Sequence, residues 1–282
     1  MTRRPWPVAT LVAAMVTTAA CGSGSSGSTT SSATATPSGQ MVLATTTSTR
    51  DTGLLDTLVP AFEHSGKCSV KTVAVGSGQA MDLGARGQAD VLLVHSPDAE
   101  QTFMAEGHGA SRLAVMHNDF VLVGPPADPA KAAGAGGAVP ALQAIAHAKT
   151  PFASRADDSG TNAKELKLWK QAAINPSGSW YIKTGQGMGP TLTIASQKRA
   201  YTLSDRGTFL ATKNLDSRVL VQGGQALQNP YHVMVVKHAG TNVGCAQAFS
   251  RWITSAPIQR LIGSFGKSKY GQALFHPDAG AQ

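Results

Sequence analysis

Two patterns take turns along this chain: short runs of consecutive apolar residues, and longer stretches with apolar residues three and four apart. The runs at 41–44, 70–75, 90–95, 119–123 and 229–236 predict buried strands. Leu54, Leu55, Leu58 and Phe62 lie on one helical face, and Ser65-Gly66 is a C-terminal stop for that helix. Helical spacing recurs over 99–107, 141–148, 162–170, 207–213, 244–255 and 258–266. The Ala-Gly stretch 132–138 reads as a surface loop or a loose helix start. Alternation of the two patterns predicts an α/β fold with mostly parallel sheets flanked by helices.

Three of the predicted strand-to-helix junctions share an unusual chemistry. Thr45-Thr46-Thr47-Ser48 follows the first strand, Gly76-Ser77-Gly78-Gln79-Ala80 the second, and Ser154-Arg155 through Asp158-Ser159-Gly160-Thr161 a later one. The first N–H groups of a helix have no internal partner, and the helix dipole makes that end positive. Hydroxyls, glycines and an always-charged guanidinium at such ends suit an oxygen-rich dianion. Open parallel sheets bind ligands at the carboxyl ends of their strands. Each junction alone is also explained by ordinary capping; the three together favour one small anion. Gly185-Gln186-Gly187-Met188-Gly189 lacks the full dinucleotide fingerprint and reads as a tight turn whose N–H groups face the same cleft.

The N-terminus reads as a targeting segment. Arg3 and Arg4 precede an apolar run over 8–16, and Ala19-Ala20 stand before Cys21. Residues 1–20 are expected to be a signal peptide and Cys21 a lipidated residue, since small residues before a cysteine resemble a bacterial lipobox. Residues 21–40, almost all Gly, Ser, Thr and Ala, would form a flexible tether. No later apolar run has the length of a membrane helix.

The formal net charge is +8, with Arg3 and Arg4 contributing two of those charges. That balance suits an anionic ligand or membrane surface. No basic stripe interleaved with aromatics points to nucleic acid, and the aromatic content of 6% disfavours a stacking surface. Cys68 and Cys245 either pair, as cysteines outside the cytoplasm can, or remain buried thiols; pairing is expected. The sequence contains no G-x-S-x-G elbow, H-E-x-x-H or P-loop, and its histidines show no metal-ligand spacing. His95 and His117 border strands and read as structural. Asp205-Arg206 reads as an internal ion pair or hinge-side contact. The chain is therefore expected to be neither an enzyme nor dependent on a cofactor or metal.

The long runs near 118–123 and 231–236 are expected to carry the chain between two lobes, giving a first lobe over 41–117 and 231–282 and an inserted second lobe over 118–230. At this level of detail the chain resembles the tungstate-binding receptors of ABC importers, within the type II periplasmic binding proteins. The resemblance runs through the three junction motifs, Ala89 to His95, Val115 to Phe120, Thr184 to Met188, Tyr201 to Thr208 and Asn229-Pro230-Tyr231, in order. It implies two lobes closing on tungstate or molybdate, and delivery to a membrane permease driven by an ATPase. The receptor would be a monomer, lipid-anchored at the extracytoplasmic face of a bacterial membrane. The family's anion contacts fall on Thr46, Ser77, Arg155 and Thr161, with Thr47, Ser159 and Gly160 close by. Ala156 stands where the family usually has Gly. Phosphate receptors share an Arg-x-Asp-x-Ser-Gly-Thr pattern that Arg155, Asp157, Ser159, Gly160 and Thr161 also fit, so phosphate is the rival ligand. An enzyme or a sensor on the same fold is the rival class.

Overall fold

The computed structural model of this chain describes residues 36–238 and 240–280. The signal segment 1–20, Cys21 and residues 22–35 of the tether lie outside the described residues. The chain first lays down β1 (Ser38–Thr46), α1 (Thr47–Asp51), α2 (Leu54–Ser65), β2 (Lys67–Val75), α3 (Ser77–Ala85), β3 (Val91–Val94), α4 (Pro97–Ala105) and the long β4 (Gly109–Gly124). It continues through α5 (Ala138–Ala148), β5 (Phe152–Ser154), α6 (Gly160–Gln171), β6 (Tyr181–Lys183), α7 (Met188–Gln197), β7 (Thr202–Asp205), α8 (Arg206–Ala211) and β8 (Arg218–Val221). It closes with β9 (Gln228–Val236), α9 (Val243–Ile253), α10 (Ala256–Ser264), α11 (Lys267–Tyr270) and β10 (His276–Pro277).

The strands that lead into the anion-type junctions run parallel: β1 beside β2 and β3, and β5 beside β6. The two long strands run antiparallel to their neighbours. β9 pairs with β3 on one side and with β4 on the other. β4 pairs with β9 from Gly109 to Asp119, then with β7 and β8 from Phe120 to Gly124. One continuous strand therefore serves both sets of helices.

Side-chain alternation on these strands builds two cores on each half. Leu43, Val91, Leu93, Val233 and Val235 face α2 and α9 residues such as Leu58, Phe62 and Phe249. Their sequence neighbours Ala44, Leu92, Val94, Met234 and Val236 face Ala80, Met81 and Phe103 of α3 and α4. A strand buried on both faces has to be apolar at every position, which is why these runs lack a polar alternation. Along β4, Phe120 and Leu122 join Phe152, Trp169, Tyr201 and Leu203, while Val121 and Val123 join Met188 and Leu192. Cys68 on β2 and Cys245 on α9 are joined by a disulfide with Cα atoms 5.8 Å apart, inside the first of these clusters.

Among the boundaries that differ from the sequence expectation, two concern the tether and the glycine-dense segment. β1 begins at Ser38, so the last residues of the expected tether, 38–40, are strand. Parallel pairing with Lys67, Cys68 and Ser69, and donation from Asn242 Nδ2 to Ser38 O and Gln40 O at 3.2 Å each, supply partners that composition cannot reveal. The glycine-dense 185–189 segment is not only a turn, because Met188 and Gly189 already belong to α7. No helix among the described residues is long and apolar enough to cross a membrane.

Candidate functional site

The three junctions meet. A Cβ added at Gly76 would sit 3.4 Å from Asp157 O, and one at Gly78 3.3 Å from Asp158 O. The start of α3 is thus packed directly on the turn before α6. A Cβ at Gly160 would lie 2.8 Å from His95 O, so this close approach requires glycine. Arg155 reaches across to the first junction, donating from Nη1 to Ser48 Oγ at 3.2 Å and from Nη2 to Thr47 Oγ1 at 3.3 Å. A Cβ at Gly187, ahead of α7, would lie 3.6 Å from Thr47 Oγ1. The turns that carry Thr46, Thr47, Ser77, Arg155, Ser159, Gly160 and Thr161 are therefore packed against one another.

Each candidate is held by its own element. Thr46 caps α1, accepting from Thr49 N, and Ser159 caps α6, accepting from Asn162 N at 3.2 Å. Arg155 is 2% exposed, and Asp157 Oδ2 accepts from its Nη2 at 2.6 Å. The other Asp157 oxygen accepts from Ser159 N at 3.3 Å, so both are committed to the turn. Behind the arginine, Ser154 O and Arg155 O accept from Thr184 N and Gly185 N at 2.9 and 2.8 Å.

Buried polar groups in proteins are almost always hydrogen-bonded. Here Ser77 Oγ, Arg155 Nε and Thr161 Oγ1 are buried without a partner in the protein. All three can donate, and each comes from a different part of the site. Donors placed this way, beside the N-termini of α3 and α6, are arranged for an acceptor-only anion.

Four residues outside the candidate set shape the site. Ser48 accepts from Arg155, as above. Asp205 is fully buried and caps α8, accepting from Thr208 N at 2.8 Å; its second oxygen has no partner. Burial pushes the Asp205 carboxyl up, against opposing effects of Thr208 and the Arg155 charge. It does not pair with Arg206, which instead donates to Asp119 and Gln222 at 3.4 and 2.9 Å. Glu165, also buried, accepts from Ser154 Oγ at 2.7 Å, Trp169 Nε1 at 3.0 Å and Tyr181 Oη at 2.7 Å. It anchors the strand end next to Arg155, and burial raises its pKa despite those bonds. His95 is buried against Thr46, Asn229 and Tyr231; burial lowers its pKa to about 3, the Asn229 bond opposes this, and the Arg155 charge adds to it.

Comparison with known proteins places relatives beside this geometry. Residues 9–257 match the profile of a PBP superfamily domain. A tungstate-binding protein, TupA, of Peptoclostridium acidaminophilum is 48% identical over 247 residues, covering 86% of each chain. A solved structure described as the tungstate ABC transporter from Geobacter sulfurreducens aligns with a TM-score of 0.74 at 44% identity, covering 80% of this chain and 98% of that one. The tungstate-binding protein TupA from Desulfovibrio alaskensis G20 aligns with a TM-score of 0.70 at 40% identity, covering 85% and 99%.

Proposed function

As the chain belongs to the PBP superfamily, we propose that it is the receptor of an ABC importer that captures tungstate between two lobes, one formed by 41–117 with 231–282 and the other by 118–230. Molybdate has the same charge and shape and is expected to share the site. The anion receives donors from Ser77, Arg155 and Thr161, with the Thr46-Thr47 and Ser159-Gly160 turns forming the rest of the wall. The receptor then presents its cargo to a membrane permease coupled to an ATPase. It binds and releases without chemistry, so it needs no cofactor.

The observation that carries this reading is the set of buried, unpartnered donors on α3, on α6 and in the turn before α6, with Asp157 engaged by Arg155 and Ser159 N. Phosphate near neutral pH keeps a proton and needs a free acceptor. Both Asp157 oxygens already accept within the arginine turn, and burial raises the pKa of Asp205, which together weigh toward a fully deprotonated anion. Calorimetric titration of the purified protein with tungstate, molybdate, sulfate and phosphate tests the assignment. Tungstate and molybdate should bind far more tightly than the other two, and a higher affinity for phosphate than for tungstate would overturn it.

The leader and Cys21 support attachment at the extracytoplasmic face of the bacterial membrane through a lipid. Cys21→Ala should leave the protein in the soluble fraction with its ligand affinity intact; wild-type protein without lipid on Cys21 would refute the anchor.

A further inference from the structure

We propose that His95 is a positioning residue of the oxyanion site: its Nε2 takes the hydrogen of the Thr46 hydroxyl, which makes Thr46 a cap for α1 and not a donor to the anion. The inference rests on the reading of the site as an oxyanion receptor, but the location of the hydrogen does not.

The argument starts on the crossing strands. Asn229 on β9 stands opposite Asn118 on β4. Its Nδ2 donates to Asn118 Oδ1 at 2.6 Å and to Tyr231 Oη at 3.3 Å. Both amide hydrogens are then used on that side, and Oδ1 is the atom that meets His95 Nδ1 at 2.9 Å. An amide oxygen only accepts, so Nδ1 carries the imidazole hydrogen. The ring is neutral, because burial holds its pKa at about 3. Nε2 is therefore bare, and it lies 3.2 Å from Thr46 Oγ1. Only the threonine hydroxyl can donate there.

Thr46 is thereby saturated. A hydroxyl has one hydrogen and two lone pairs. The hydrogen goes to His95, while Thr49 N at 3.2 Å and the Thr49 hydroxyl at 2.7 Å fill the lone pairs. Ser77 Oγ and Thr161 Oγ1, buried in the same site, have no such partners. Three hydroxyls that look equivalent in sequence thus divide into one that braces the site and two that face the anion. His95 also braces the opposite wall, because the start of α6 rests on it: a Cβ at Gly160 would come within 2.9 Å of Nδ1. A single ring ties the Thr46 turn, the α6 start and the Asn118–Asn229 pair into one unit.

Nitrogen-15 spectra of the histidine-labelled, purified protein test the assignment, with the His95 signals identified by their loss in His95→Gln. A protonated Nδ1 and a bare Nε2 are expected. If both asparagine amides were turned over, the chain would run backwards: Nε2 would carry the hydrogen and Thr46 would be free to donate. A protonated Nε2 therefore overturns the proposal. Tungstate titration below the melting range supplies a second readout. Gln at 95 can place an oxygen near the Nε2 position, so His95→Gln should stay within a few-fold of wild type, whereas His95→Leu should lose tenfold or more. The losses of His95→Leu and Thr46→Val should be non-additive in the double variant. Additive losses, or unchanged affinity in folded His95→Leu, would refute the positioning role. Failure of wild type to bind tungstate would instead refute the ligand assignment, and the nitrogen spectrum would still locate the hydrogen.

Discussion

Arg155 and Asp157 are joined at 2.6 Å, with one residue between them. The pair sets the direction of the guanidinium: Nη2 is turned to Asp157 and Thr47, Nη1 to Ser48, and Nε is left without a partner. The carboxylate thus acts on the anion through the arginine. Arg155→Ala removes the only charged donor among the candidate residues and should weaken tungstate binding most. A hydrogen bond to a charged group is worth about 1.5–3 kcal/mol, roughly ten- to a hundredfold in affinity. Arg155→Lys keeps charge without the planar fork and should fall between. Asp157→Asn should cost less than Arg155→Ala, by loosening the turn. Calorimetry on the series checks the order, and an Arg155→Ala variant with wild-type affinity would remove the arginine from the site.

Ser77→Ala and Thr161→Ala should separate binding from folding. Neither hydroxyl has a protein partner to lose, so ligand-free melts should match wild type. Tungstate affinity should fall by about 0.5–1.5 kcal/mol for each lost neutral hydrogen bond. Lower ligand-free melting with unchanged affinity would assign both hydroxyls a structural role.

Ala156 sits between Arg155 and Asp157 at φ 47°, in the left-handed region. For a residue with a Cβ this conformation costs roughly 1–2 kcal/mol. Ala156→Gly should relieve the strain, offset in part by the greater freedom of glycine in the unfolded chain. A net gain of about 1 kcal/mol corresponds to a melting shift of about 2–4 °C in a protein of this size class. Scanning calorimetry without ligand decides it; a lower melting temperature would show that Ala156 is not strained.

The parts of this molecule that could be read in advance are those with local causes. Strands buried on both faces announce themselves as unbroken apolar runs, and Ser159 or Ser77 at the head of a helix follows from unpaired N–H groups nearby. The roles of His95, Glu165 and Asp205 depend on partners far along the chain, such as Asn229 for His95. Glu165 resembles a solvent-facing residue in a lysine-rich helix until Trp169 and Tyr181 close over it; its i, i+4 spacing from Trp169 was the available sign. Asp205 three residues before Thr208 fits an N-cap pattern, and the adjacent Arg206 makes an ion pair an equally simple reading of the sequence. The first part of β4, Gly109–Ala114, gives no strand signal in the sequence because Ser111 and Arg112 interrupt its apolar residues and none of its positions is fully buried.

The disulfide should matter for stability and not for affinity. Cys68–Cys245 closes a loop with a sequence separation of 177 and lies inside the apolar cluster of α2 and α9, with Cys68 near the start of β2 and Ser77 just past its end. Loss of a native disulfide typically costs about 2–5 kcal/mol, chiefly by freeing the unfolded chain. Cys68→Ala with Cys245→Ala should lower the melting temperature clearly and leave tungstate affinity unchanged at a temperature where the protein is folded. Equal melting of wild type with and without reductant would indicate that the bond contributes nothing.

Acid stability should carry the signature of His95. Its pKa falls from 6.5 in the unfolded chain to about 3 in the folded protein. Below 6.5 the unfolded chain takes up a proton that the native ring refuses. The stability contributed by the neutral ring is therefore fully present above pH 6.5 and is lost as pH falls toward 3. A one-proton difference has a limiting slope of about 1.4 kcal/mol per pH unit. Glu165 and Asp205 have the opposite sign: burial raises both, so stability from retaining their protons is lost as pH rises through their folded values. Those effects are common to wild type and His95→Gln and cancel when the two are compared. Ligand-free denaturant titrations at intervals from pH 7.5 to 5 should show wild type losing stability faster than His95→Gln on acidification. Parallel curves would mean that His95 is accessible to protons in the folded state.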